Sequence, residues 1–317
     1  MNEQLREYHV TPPDDQMLSQ TSLTLAWDFL RRRLYLPIAM AAVSGVGAAG
    51  ISLMFPDQYV SEAALAPSEY LYSLNADRSV SGSLGGRLLG LTGGGAKLID
   101  PVDLTIEYAK SRDFVLYFIA KHNLAPELAA VSGWNRDTNR LIWDNSIYSL
   151  STKTWSTKIN GESHKPNETD LYRIFRERIN ITREFETGVI LVDFRHVSPE
   201  RSQKILKKFI DDLNYYVSDR QYRKSRSIAN SLRKAIATEP LLSIKNELIN
   251  SAIGHIRIMS MHGTSPNAAF DIIDTPSKPD EKDGPFRSLI CLASAFAGGL
   301  LGLAWVLIKF RLSMMPK

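Results

Sequence analysis

The sequence has little of what catalytic and metal centres need. Its 317 residues include one cysteine, which excludes a disulfide framework and any paired-cysteine metal or redox motif. The six histidines are scattered, with no HExxH motif and no pair four residues apart. We therefore expect no metal ion, no cofactor and no catalytic residue. The net charge of +4 is small for this length and does not favour nucleic acid as a partner.

Two segments lack charged residues altogether. Residues 34–55 (LYLPIAMAAVSGVGAAGISLMF) and 289–308 (LICLASAFAGGLLGLAWVLI) contain no Asp, Glu, Lys or Arg. At about 1.5 Å per residue, each is long enough to cross the ~30 Å hydrocarbon core of a bilayer. A core helix of a soluble protein usually has a polar face, and neither segment has one. The sequence therefore predicts two transmembrane helices at these positions, with membrane lipid around them.

The charges that flank these segments predict an orientation. Three arginines at 31–33 precede the first segment, and no Lys or Arg follows it until Arg78. Cytoplasmic flanks are enriched in Lys and Arg, so we expect residues 1–33 and 309–317 to be cytoplasmic tails. Residues 56–288 then form one periplasmic domain, without a thiol to mispair in an oxidising compartment.

Strand and helix patterns are mixed within the predicted periplasmic domain. Strands are predicted at 59–65, at 179–194 as a hairpin, and at 268–274, with a helix pair over about 100–121. The continuous apolar run Val189–Val192 favours an internal strand that is covered on both faces. The predicted fold class is thus an α+β membrane protein, with two transmembrane helices flanking a periplasmic α/β base domain that carries a long projecting helix.

The longest helix is predicted over about 198–238. Ser198 is a favoured N-cap, and Pro199 suits the first helical position. A core-facing apolar stripe stops before Arg220 and resumes at Ile228, so the helix between them is polar on all sides. Such a stretch either projects from the base or is buried against other subunits through polar contacts.

The polar middle of this helix is also basic. Its candidate contacts to a polymer or to another subunit are Arg220, Arg223, Lys224 and Arg226. The simpler interpretation is a solvated helix face, and the alternative is a basic surface that holds a polyanionic or lipid-pyrophosphate-linked polymer.

A proline-rich connector is predicted over 275–286, between the last strand and the second apolar helix. Pro276, Pro279 and Pro285 restrict the backbone there, so we expect a stiff attachment of the domain to its anchor.

Glycines suggest where helices pack closely. The candidates for transmembrane packing are Gly45, Gly298 and Gly302. Gly298 and Gly302 lie one turn apart on one face, where the absence of side chains lets a second helix approach, and we expect this face to gather spans in an oligomer. A glycine-rich stretch at 75–98 lacks the Gly-Lys-Ser/Thr of a phosphate-binding loop and is expected to be a flexible loop whose leucines dock into a neighbouring element.

The chain thus has an anchor near each end, a large domain between the anchors, and a proline-rich stretch before a last span that contains glycines. Several short sequence motifs, the marks of this arrangement, accompany it. In chain order they are Tyr59-x-Ser61-x-Ala63-Ala64-Leu65, Ser111-Arg112-x-Phe114, His196-x-Ser198-Pro199, Asn214, and Ile273-Asp274-x-Pro276. Their order and the topology resemble the polysaccharide co-polymerases, specifically the Wzz-type chain-length determinants. The proline stretch is sparser here than in many members of that family.

The resemblance implies a non-enzymatic, ring-forming homo-oligomer of the bacterial inner membrane. It implies that the chain sets the length of a lipid-linked polysaccharide, such as the O-antigen of lipopolysaccharide, that a Wzy-type polymerase extends. Two alternatives stay open: a capsule or exopolysaccharide export co-polymerase that works with an ABC transporter, and a two-span periplasmic sensor, which should carry a cytoplasmic output domain. An enzyme is a weaker option, because no paired carboxylates, triad order or metal cluster supports it.

Overall fold

The structure, a computed structural model, describes residues 34–68, 71, 100–157, 161–262 and 269–313. The chain divides into two compact units. We call Met1–Phe55 with Gly284–Lys317 the apolar unit, and Pro56–Asp283 the base unit. The glycine-rich stretch at 75–98 and the arginines at 31–33 lie outside the described residues.

In its described part, the apolar unit consists of helices α1 (Tyr35–Leu53) and α8 (Arg287–Ser313). The helices of the base unit are α2 (Pro101–Lys110), α3 (Arg112–Lys121), α4 (Ala125–Ala130), α5 (Glu168–Arg178), α6 (Pro199–Thr238) and α7 (Leu242–Met261). Its strands are β1 (Tyr59–Pro67), β2 (Val131–Asn135), β3 (Arg140–Trp143), β4 (Tyr148–Ser149), β5 (Thr154–Trp155), β6 (Ile179–Arg183), β7 (Ile190–His196) and β8 (Phe270–Asp274). This is a mixed α/β chain with two apolar helices and one long helix, as the sequence predicts.

A four-stranded antiparallel sheet in the order β6-β7-β1-β8 forms the centre of the base unit. The predicted hairpin of β6 and β7 is present, with Gly188 in its turn at a φ of +74° that favours glycine. The prediction that Val189–Val192 is covered on both faces is wrong. Val192 is buried but Leu191 is 48% exposed, because successive side chains point to opposite faces and α6 covers the face of Val192.

The first half of α6 forms the core of the base unit. Its predicted stripe, Leu206, Ile210, Leu213 and Val217, is buried. Phe209 on the same half contacts Phe114 and Phe118 of α3, with ring centroids 5.3 and 5.4 Å apart. Burial of one such side chain contributes about 1.5–3 kcal/mol, so these contacts hold α6 firmly on the sheet and on α3.

The second half of α6 packs against α7, which returns antiparallel along it. Ser218 Oγ lies 2.7 Å from His262 Nδ1, and the Tyr222 ring stacks on the His262 ring with centroids 4.6 Å apart. Ser225, in the middle of the polar stretch, is 3% exposed. Part of this stretch is thus buried within the chain, and the expectation that it projects from the base or meets other subunits stays a prediction. Small polar side chains let α7 of the same chain lie close to it.

Candidate functional site

The chain enters and leaves the base unit at one place. The connector that follows β8 returns along β1: the Ser277 N–H donates to the Glu62 carbonyl at 3.1 Å, and the Asp283 N–H donates to the Gln58 carbonyl at 2.8 Å. An ion pair of 3.3 Å between Lys282 Nζ and Asp57 Oδ1 adds to this contact. The two segments that join the base unit to the apolar helices are thus held together within the base unit itself.

Side chains of β1 and α6 fix the start of the connector. Gln203 Nε2 donates to the Pro276 carbonyl at 2.8 Å, and Ser61 Oγ donates to the Ser277 carbonyl at 2.6 Å. Pro276 is buried, Pro279 is half-buried, and Pro285 lies in the apolar unit. Hydrogen bonds that the sequence pattern does not reveal thus hold the start of the connector, and the stiffness expected from the prolines stays a prediction.

The residues that carry the family resemblance hold the base unit together. Asn214 is 2% exposed, and both the oxygen and the nitrogen of its side-chain amide bind the backbone at the start of β8. Its Oδ1 accepts from the N–H groups of Ala269 and Phe270 at 2.9 and 2.8 Å, and its Nδ2 donates to the Phe270 carbonyl at 3.2 Å. A side chain that satisfies three buried backbone groups decides where β8 lies on α6.

Serines among these marks have similar structural roles. Ser61 N–H donates to Ser202 Oγ at 3.0 Å, and that hydroxyl donates to the Phe194 carbonyl at 2.6 Å, so α6 is tied to both β1 and β7. Ser111 and Ser198 cap α3 and α6, because each side chain accepts from a backbone N–H of the first turn. The contacts at these positions give the motif residues a structural role, which is to hold strands and helices together.

A buried charged cluster lies where α4, β7 and α6 meet. Glu127 is 6% exposed and accepts two hydrogen bonds from the guanidinium of Arg201, one of them 2.6 Å from Nε. His196 Nε2 lies 3.3 Å from the same carboxylate, and its Nδ1 accepts from the Ser198 N–H at 3.1 Å. Burial lowers the pKa of His196 to about 4, against the smaller opposing effect of Glu127.

This pKa predicts how stability depends on pH. Between pH 6.5, the ordinary pKa of histidine, and about pH 4, His196 binds fewer protons in the folded chain than in the unfolded chain. The free energy of unfolding should therefore fall as the pH falls through that window, by up to about 3 kcal/mol. His196→Gln, which can still accept from Ser198, should flatten this part of the profile, and urea unfolding of the full chain between pH 7 and 4.5 measures it.

The matched control is His164→Gln, at a half-exposed histidine whose ring lies against the Ser156 carbonyl. This variant should keep the pH slope of the parent. Identical slopes for His196→Gln and the parent would show that the buried imidazole is not the group responsible.

The basic middle of α6 divides into residues that have partners and residues that do not. The guanidinium of Arg220 lies 4.7 Å from the centre of the Tyr108 ring, and a hydrogen bond to Tyr108 raises the pKa of Arg220. Arg223 is paired with Asp219 one turn earlier at 2.8 Å. Lys224 and Arg226 are exposed and form no ion pair with any residue that the structure describes. These last two are the charges available to a partner.

Within the apolar unit, the predicted packing glycines lie between the two helices of one chain. A Cβ on Gly298 would lie 2.8 Å from the Met40 carbonyl oxygen, and a Cβ on Gly302 would lie 2.6 Å from the Pro37 Cα. A Cβ on Gly45 would lie 3.3 Å from that of Ala295. The glycine face that was expected to gather spans of different subunits is thus filled by α1 of the same chain.

Two serines join the same helices by reciprocal hydrogen bonds. Ser44 Oγ donates to the Ser294 carbonyl and Ser294 Oγ donates to the Ser44 carbonyl, both at 3.0 Å. In an apolar environment such a pair holds the helices in one rotational setting, since a slip would leave both hydroxyls without these acceptors. Serine is common in apolar helices, so the sequence offered no sign of this pairing.

The described residues contain no group of three or more His, Cys, Asp and Glu side chains that could hold a metal ion. A cavity of about 50 Å³ lies beside Phe118, Leu124 and Ile205, with Arg201, Lys204 and Lys208 at its wall. Ligand sites usually measure roughly 300–1,000 Å³, so this cavity does not suit a sugar unit or a cofactor. The features with functional potential are instead the joined ends of the base unit, the basic part of α6 and the helix pair.

No model of a known protein family matches the chain. Among curated proteins it is similar to Protein AFR1 of Saccharomyces cerevisiae, with 26% identity over 164 residues that cover 49% of this chain and 24% of the yeast protein. The chain thus spans about a quarter of the length of that relative.

Two solved structures are similar to the chain over most of its length. One is a full-length bacterial polysaccharide co-polymerase, with a TM-score of 0.39 and 13% identity over 90% of this chain and 97% of that one. The other is a fragment of WzzB, a polysaccharide co-polymerase from Salmonella Typhimurium, with a TM-score of 0.30 and 11% identity over 72% of this chain and 100% of that one. Both bear the name of the family that the sequence resembles. At these TM-scores neither similarity assigns a function.

Proposed function

We propose that the chain is a polysaccharide co-polymerase of the Wzz type. It is a two-span protein of the bacterial inner membrane whose base unit lies in the periplasm and whose termini lie in the cytoplasm. Several copies assemble into a ring. The ring sets the length of a lipid-linked polysaccharide, such as O-antigen, while a Wzy-type polymerase extends it.

The observation that carries this proposal is the closed attachment of the base unit. Asp283 and Gln58, the residues next to the two apolar helices in sequence, are joined by a backbone hydrogen bond of 2.8 Å. In a unit whose two ends are joined in this way, the segments that lead to the two helices are tied to each other. That arrangement suits a rigid scaffold better than a signalling protein, in which a ligand must move one span relative to the other.

The character of the two apolar helices supports a membrane location. Tyr35–Leu53 and Arg287–Lys309 are long and apolar enough to cross a bilayer, and only 11% and 17% of their most apolar windows are buried. A core helix of a soluble protein of this length would be mostly buried. Together with the three arginines at 31–33, these helices support cytoplasmic termini.

The test is the length distribution of a surface polysaccharide. The full chain is produced in a bacterium that has a Wzy-type polymerase but lacks its own length regulator, and the lipopolysaccharide is separated on a gel. We expect the broad distribution of the strain to narrow to a preferred length. An unchanged distribution overturns the proposal. If the chain instead restores polysaccharide export in a second strain, one that lacks the co-polymerase of an ABC-transporter pathway, it belongs to transport by an ABC transporter.

The basic part of α6 is the region that we expect to influence this length. Lys224→Glu with Arg226→Glu changes the charge of each copy by four at two exposed residues without described ion-pair partners. If this surface meets an anionic lipid-linked polymer, repulsion should shift the preferred length by several repeat units, as read on the same gels.

The matched control, Arg233→Glu with Lys234→Glu, makes an equal change of charge farther along α6. It should shift the length much less, since these residues lie about two turns away. Equal shifts for both pairs would indicate a general effect of charge. No shift for either would make this part of α6 a solvated face.

A further inference from the structure

The small cavity beside the first half of α6 has a positively charged wall. Arg201, Lys204 and Lys208 line it, and their spacing of three and four residues places them on one face of the helix. Buried Phe118 and Leu124 form part of the remaining wall. Lys204 and Lys208 are exposed, so a solute can reach the cavity past them. We call this space the basic cavity.

The carboxylates near the basic cavity do not neutralise all of its cations. Each carboxylate that binds a lining residue is paired with one cation, and these pairs are Glu127 with Arg201, Glu200 with Lys204, and Asp212 with Lys121. Asp212 also lies 2.7 Å from Nε2 of His122, another lining residue. Lys208 forms no ion pair with any residue that the structure describes. One positive charge is therefore left over at the wall.

Arg201 also has donors that its carboxylate partner does not use. Glu127 accepts from Nε and Nη2 of Arg201, whereas Nη1 has no hydrogen-bond partner among the described residues. The side chain of Arg201 is 37% exposed, although Glu127 is buried. A guanidinium has five N–H donors and can bind an oxyanion through two of them at once. Arg201 and Lys208 thus offer charge-assisted hydrogen bonds to an anion.

The cations of the basic cavity repel each other when no anion is bound. Lys204 and Lys208 are four residues apart on α6, and like charges at that spacing destabilise a helix. The apolar part of the wall lowers the local dielectric constant, which strengthens interactions between charges. An anion in the basic cavity would replace this repulsion by attraction to both lysines.

The size of the basic cavity indicates which anion fits. Its volume of about 50 Å³ has room for about three to five water molecules. A phosphate group, with its oxygens around one phosphorus, is of this size, whereas a sugar unit is larger. Arg and Lys are the side chains that commonly bind phosphate. We propose that the basic cavity binds a phosphate group, which comes either from free phosphate or from an anionic lipid headgroup. Neither source depends on the proposed function.

A titration with inorganic phosphate tests the site. Phosphate is added at constant ionic strength to the full chain in an uncharged detergent, and phosphorus NMR measures binding. Lys208→Gln should weaken binding about tenfold or more, because it removes a charge-assisted hydrogen bond. Lys207→Gln removes an equal charge from an exposed neighbour that does not line the cavity, so it should bind like the parent. Absence of binding to the parent, or equal weakening in both variants, would overturn the inference.

Lys208→Arg distinguishes a contact with phosphate from a structural role of Lys208. Arginine keeps the charge and donates to phosphate, so this variant should bind within a few-fold of the parent. Urea unfolding should be the same for the parent, Lys208→Gln and Lys208→Arg, since Lys208 is exposed. A Lys208→Arg protein that binds phosphate no better than Lys208→Gln contradicts the proposal.

Glycerol phosphate is the second probe, and it tells the two sources apart. It is a phosphate ester like that of a lipid headgroup, but without acyl chains. Tighter binding of glycerol phosphate than of inorganic phosphate assigns the site to a headgroup, and the reverse order assigns it to free phosphate. Phosphate binding without any effect of the chain on polysaccharide length would refute the proposed function and keep the site. A preferred polysaccharide length without phosphate binding would refute the site and keep the function.

Discussion

Leucine at Gly298 and Gly302 is expected to separate the two apolar helices. The Met40 carbonyl oxygen and the Pro37 Cα leave no room even for a Cβ, at 2.8 and 2.6 Å. Both neighbours belong to the backbone of α1, so no side-chain rotation relieves the clash. Overpacking a well-packed contact typically costs about 1–3 kcal/mol, and two adjacent clashes with backbone exceed what a local shift accommodates.

The measurement is the distance between spin labels at two exposed positions, one on each helix. Val46 on α1 and Leu292 on α8 are 73% and 69% exposed, so labels there should leave the contact intact once Cys291 is replaced by Ser. The parent should give one narrow distance, and the double-leucine variant should give a longer and broader distribution.

Gly47→Leu is the matched control, because a Cβ at Gly47 meets nothing within 4 Å. This variant also adds a leucine to the helix pair, but at a position where no neighbouring atom is in the way. The narrow distance should therefore persist. If the double variant also keeps the narrow distance, the glycine face is not the contact between α1 and α8.

Asn214→Leu should destabilise the base unit severely. Leucine has nearly the shape of asparagine, but it leaves two N–H groups and one carbonyl of Ala269 and Phe270 buried without partners. Each such group costs about 1–3 kcal/mol, so the loss should be about 3 kcal/mol or more, against a total stability of about 5–15 kcal/mol. Urea unfolding of the full chain, followed by tryptophan fluorescence, measures the loss.

Hydrogen exchange then locates the damage. The Phe270 amide should exchange first in this variant, because β8 is the edge strand that Asn214 holds. Asn230→Leu, an exposed position on the same helix, should change neither the unfolding curve nor the exchange. An Asn214→Leu protein as stable as Asn230→Leu would mean that water or a neighbouring group replaces the amide at little cost.

Local signals in the sequence predict the elements well. The α6 start follows from Ser198 and Pro199, and its buried half follows from an apolar stripe with helical spacing. Caps and periodicity act within a few residues, so they are readable without the fold. The hairpin of β6 and β7 is predicted for the same reason, since its turn lies between two β-branched runs.

Exposure of individual faces depends on which element packs where. The apolar run Val189–Val192 predicts strand β7 but not the exposure of Leu191, because an apolar run does not show which side a helix will cover. Helix α7 is a second example, because it is apolar on two sides. Only the structure shows that Ile258 is buried towards α6 while Ile253 is exposed.

The sequence by itself thus determined two apolar helices, a mixed base domain, a forty-residue helix and a basic stretch on it, all from patterns of neighbouring residues. Only the tertiary structure decided that Glu127 meets Arg201 and that Ser44 meets Ser294, across 74 and 250 residues of chain. It also decided that the glycine face meets α1 of the same chain. Such pairings depend on how elements that are distant in sequence pack against each other, and local propensities do not encode this packing.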